Sequence, residues 1–102
     1  MNMQNETAPG AAKIALADVL DLKAASALTA ELLGARGRDV ELDGSAVQRL
    51  GAQCLQVILS ARNTWDKDGV SLQIVNASHD LVEGLELLGV DPARCFAKEA
   101  RL

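Results

Sequence analysis

An α/β domain with a mixed, largely parallel sheet of about four strands and covering helices is the fold class predicted for this chain. Three observations carry that prediction. Short apolar segments of period two alternate with longer segments whose apolar residues recur at three and four. Clusters of Gly, Asp, Asn and Ser separate them. The chain is 49% hydrophobic, yet Phe96 and Trp65 are its only aromatics, so its core must be layered from Leu, Val, Ile and Ala. The order strand, helix, strand, helix is the one that lays helices over parallel strands. A length of 102 residues has room for one domain, expected over 12–102 after a flexible N-terminal tail at 1–11.

Within that frame, AKIALA at Ala12–Ala17 puts Ile14 and Leu16 on one side and reads as a strand, with Val19 and Leu20 adding a second short one. Asp21 can cap a helix from Leu22 to about Leu33, with Leu22, Ala25, Leu28 and Leu32 facing the core and Gly34 and Gly37 stopping it. DVELD at Asp39–Asp43 alternates Val40 and Leu42 with acids, a strand with one buried face, and Gly44 and Ser45 turn the chain. From Ala52 to about Trp65 a helix buries Cys54, Ile58, Ala61 and Trp65, with Leu55 and Leu59 widening the stripe. Asp66 to Gly69 form a turn before the strand VSLQIV at Val70–Val75. Asn76 or Ser78 starts a last helix through Leu88 with Leu81, Leu85 and Leu88 inward and Gly89 as its stop; ARCFAKEARL, 93–102, reads as either a short helix or an edge strand, with helix favoured.

Composition removes several function classes. With 14 acidic and 10 basic residues the net charge is -4, and no basic cluster stands ready to neutralise phosphates, which argues against nucleic acid or an anionic membrane surface. The N-terminal residues lack a signal-peptide pattern and no apolar run reaches about 18 residues, so no membrane insertion and a cytoplasmic location are expected. Cys54 and Cys95 read as structural thiols, and with His79 as the lone histidine no zinc ligand set exists. No GxxxxGK[ST], GxGxxG or GxSxG pattern occurs, and Ser78, His79 and Asp80 are adjacent in sequence without the spacing of a triad. No enzymatic activity, cofactor or metal is therefore expected. Asp43 ends a strand without the companion carboxylates of an aspartyl phosphoacceptor and reads as a turn former.

The segments LDLKAASAL at Leu20–Leu28, LDGSAV at Leu42–Val47, LGAQCLQVILSA at Leu50–Ala61 and LVEGLELLGV at Leu81–Val90 together resemble the STAS domain, the fold of sulfate transporter cytoplasmic tails and anti-sigma factor antagonists. The resemblance covers about residues 12–90, and GAQCLQVILSARNTW is also similar to small STAS proteins found with chemotaxis genes in alphaproteobacteria. Regulated members open the second helix with Asp-Ser-Ser-Gly or Asp-Thr-Ala-Gly, whose hydroxyl is phosphorylated. Those four positions correspond here to Gly51, Ala52, Gln53 and Cys54, so Ala52 and Gln53 stand at degenerate phospho-switch positions. No hydroxyl lies between Ser45 and Ser60.

What remains is a surface. Gln53, Gln56, Ser60 and Asn63 recur at three and four residues, a neutral polar stripe turned away from Cys54, Ile58 and Trp65. Neutral amides shed water at less cost than Lys or Glu, which suits them to contact. The partner-binding residues expected are Arg49, Gln53, Gln56, Ser60 and Asn63, with Asp43 and Ser45 at the edge. The resemblance implies a non-enzymatic signalling module that binds a histidine kinase, in chemotaxis by the narrower similarity, and modulates phosphoryl flow. Its rivals are an anti-sigma factor antagonist that works without phosphorylation and a structural STAS subunit of a lipid transport ATPase complex.

Overall fold

The computed structural model describes residues 12–91. The elements are β1 (Ala12–Ala15), β2 (Val19–Leu20), α1 (Leu22–Gly34), β3 (Val40–Asp43), β4 (Arg49–Leu50), α2 (Ala52–Asp68), β5 (Leu72–Val75) and α3 (His79–Leu87). The segments predicted for 1–11 and 93–102, and with them Cys95, lie outside the described residues.

β1, β3 and β5 form one parallel sheet in that order, in the register Ile14, Leu42, Ile74. β2 and β4 pair in a second, two-stranded parallel ladder, Val19 with Arg49 and Leu20 with Leu50. The strands predicted as one sheet of about four thus divide into three and two, and every described pairing is parallel. β4 was not legible: two residues, one of them the exposed Arg49, carry no alternation, and Gly51 N–H donating to Leu20 O at 2.8 Å continues that ladder.

The pairing exposes a repeat. β1, β2 and α1 form one ββα unit and β3, β4 and α2 a second, with Leu20 before Asp21 matching Leu50 before Gly51. Each crossover moves one strand along the sheet in the same direction, and right-handed crossovers therefore place α1 and α2 side by side on one face. Alternation agrees. Ile14, Val40, Leu42 and Leu72 are buried toward Leu28, Leu32, Cys54, Ile58 and Trp65, whereas Lys13, Glu41 and Gln73 share the opposite face. Trp65 is buried as predicted, and its Nε1–H donates to Arg38 O at 2.6 Å.

α3 closes the end of the sheet. Ser78 is its N-cap, accepting from Leu81 N–H at 3.0 Å while its hydroxyl donates to Val47 O at 2.6 Å, which ties the β3–β4 loop to the helix. Leu81 lies so close to Gly44 that a Cβ there would sit 2.5 Å from Leu81 Cδ2.

Four predicted details change. Leu22 is 68% exposed because the first helical residue of α1 points across the helix pair instead of inward. Leu59 is 36% exposed: the stripe of α2 is completed by Leu55 alone on that side. Leu88 is the exposed C-cap of α3, after the last inward turn at Leu85. α2 runs through Asp66 and Lys67 to Asp68, where Gly69 at φ 76 ends it with bonds from Gly69 N–H to Asp66 O and from Val70 N–H to Trp65 O.

Candidate functional site

α2 begins where β4 ends. Gly51 is its N-cap in extended conformation (φ -97, ψ 162), with no side-chain cap, and the first turn holds no acid. Its first amides are those of Ala52, Gln53 and Cys54; Leu55 N–H makes the first bond back, to Gly51 O. Ala52 and Gln53 therefore open the helix, with neither hydroxyl nor carboxylate. A Cβ on Gly51 would lie 3.0 Å from Leu20 O, and Asp21 Cα stands 3.8 Å away from it. Cys54, fully buried, donates its thiol to Asp21 O at 3.2 Å. Burial, and then the Asp21 charge, push that thiol's pKa up. It is a packing group.

Ser45, the nearest hydroxyl upstream, sits in a turn held by Asp43, whose Oδ1 accepts from Ser45 N–H at 3.0 Å. The Ser45 backbone and hydroxyl, then Asn76 and Lys13, hold the Asp43 carboxyl below the usual range. The turn-forming role predicted for Asp43 is the one it has.

The stripe on α2 faces a groove. Between α1 and α2 lies an open cavity of about 610 Å³. Gln53, Gln56, Val57, Ser60 and Thr64 form one wall and Leu22, Ser26, Thr29 and Leu33 the other. Arg36 Nε meets Asp68 Oδ2 at 3.0 Å across its far end. Gln53, Gln56 and Ser60 are thus brought together. Asn63 is exposed on α2 beside the lining, and Arg49 is exposed on β4. Asp43 belongs elsewhere. It shares the face of Ala15 and Val75 opposite the helices, and lines a small hollow of about 180 Å³ with Lys13 and Asn76. With Ser45 bonded to it, the predicted edge of the contact lies on the other side of the sheet from the groove.

The α1 wall escaped the sequence reading. Its signal was present: Leu22, Ser26, Thr29, Leu33 and Arg36 recur at four, three, four and three residues, a second helix face that the core stripe of Ala25, Leu28 and Leu32 does not use. Among the described residues no group of three His, Cys, Asp or Glu could hold a metal, and no helix is long and apolar enough to cross a membrane.

Repeated ββα units, parallel pairing, two helices on one face and a second helix starting beside the first define a small α/β domain whose prominent surface is a helix pair. The family model described as "Mlab, STAS domain" matches residues 3–95, and the chain belongs to the STAS family. Membership makes it a signalling or anti-sigma-antagonist-like interaction module, for STAS domains generally mediate protein–protein contacts. A search of curated proteins finds no match.

Proposed function

We propose that this chain is a non-enzymatic docking module of bacterial chemotaxis signalling, acting in the cytoplasm, that binds a histidine kinase and modulates phosphoryl flow without a Ser/Thr switch of its own. One observation carries the reading: the start of α2 is built from Gly51, Ala52, Gln53 and Cys54, without a phosphoacceptor, and runs directly into the exposed row Gln53, Gln56 and Ser60. A phosphorylated hydroxyl carries about -1.5 to -2 charges and controls partners by gaining and losing them. This helix start stays neutral, so its docking is constitutive and any regulation resides in the partner. Displacement to Ser45 is disfavoured by charge, because a phosphate there would meet the Asp43 carboxylate.

The test is co-purification with the kinase, followed by affinity measurements on Gln53→Glu and Gln56→Arg, both at exposed positions and each checked for an unchanged melting temperature. At least one substitution should weaken binding about tenfold or more; unchanged affinity in both rejects this face. An anti-sigma antagonist is the second reading, and incubation with an anti-sigma kinase and ATP separates the two. Stoichiometric phosphate on Ser45 would sink the claim that no switch exists. Stable co-purification with a transporter ATPase would favour a structural subunit instead.

A further inference from the structure

We draw no further inference here: the strongest candidate, the open groove between α1 and α2 with Leu22 and Leu33 exposed on its α1 wall, belongs to the docking face already described, and nothing in the structure shows what covers it.

Discussion

Placing a side chain at Gly51 separates the two physical reasons for glycine at the start of α2. Any Cβ there approaches Leu20 O to 3.0 Å and must push it back by a few tenths of an ångström, a cost common to Gly51→Ala, Gly51→Asn and Gly51→Asp. Only Asn and Asp can then accept from the open amides of the first turn. Replacing a capping side chain by Ala costs about 1 kcal/mol, by Gly a few tenths. Gly51→Ala should therefore be destabilised by about 1 kcal/mol, and Gly51→Asn should recover most of that loss. With a urea m-value of about 1 to 2 kcal/mol/M, the two midpoints should differ by about 0.5 to 1 M with m unchanged. Gly51→Asp adds a charge that the helix N-terminus favours, by about 0.3 to 1 kcal/mol. Asp21, whose Cα is 3.8 Å from the new Cβ, opposes it. In the wild-type background Asp should gain nothing over Asn, and an Asp21→Asn background should restore its advantage. If Gly51→Asn unfolds with Gly51→Ala, the N-cap geometry at Gly51 is not operating; if all three match wild type, the approach to Leu20 O does not exist in solution.

Gly44→Ala should cost about 1 to 3 kcal/mol in urea unfolding through its collision with the fully buried Leu81, and the cost should shrink in a Leu81→Ala background, where the methyl group fills part of the cavity. Trp65→Phe keeps an aromatic ring but leaves Arg38 O without the indole donor, and should lower stability by about 1 to 2 kcal/mol, seen as a lower melting temperature. Asp43 has a folded-state pKa below its unfolded value, so its contribution is complete above the unfolded pKa and disappears as pH falls through the folded one. Asp43→Asn should therefore flatten the acid side of a stability–pH profile while leaving the neutral and alkaline limb parallel to wild type; an unchanged acid limb would show that the Ser45 turn does not hold the carboxylate.

The regular part of the fold was legible because its residues serve one demand at a time. Val40 and Leu42 alternate because one face of β3 is buried, Asp21 and Ser78 announce helix starts through their own oxygens, and Gly69 and Gly89 mark helix ends with positive φ. β4 was hidden because a two-residue ladder needs no period, only the backbone of Leu20 in the right place. Leu22, Leu59 and Leu88 misled for a related reason: helical spacing identifies a shared face but not how many neighbours cover it. The α2 half of the groove could be read from its neutral spacing. Its α1 half was missed because Leu22 fits the core stripe as well as the groove face, and only the second helix beside the first decides between them.

The ββα repeat sets two helix starts side by side. In the first unit the N-cap is Asp21, whose carboxylate accepts from Ala24 N–H; at the matching position of the second unit stands Gly51, with no side chain. The two starts touch, since Gly51 N–H bonds Leu20 O and the Cys54 thiol bonds Asp21 O. The Asp21 charge is felt at Cys54, where it helps to raise the thiol's pKa. A phosphoryl group at Ala52 would enter that same field, and its repulsion from Asp21 would offset part of the attraction of the helix N-terminus. Side chains that need no charge suit this position better, as Gln53 does. The two helix starts thus differ in kind, the first capped by a carboxylate and the second by no side chain, and their contact through Leu20 O and Asp21 O couples any charge placed at the second to the one at the first.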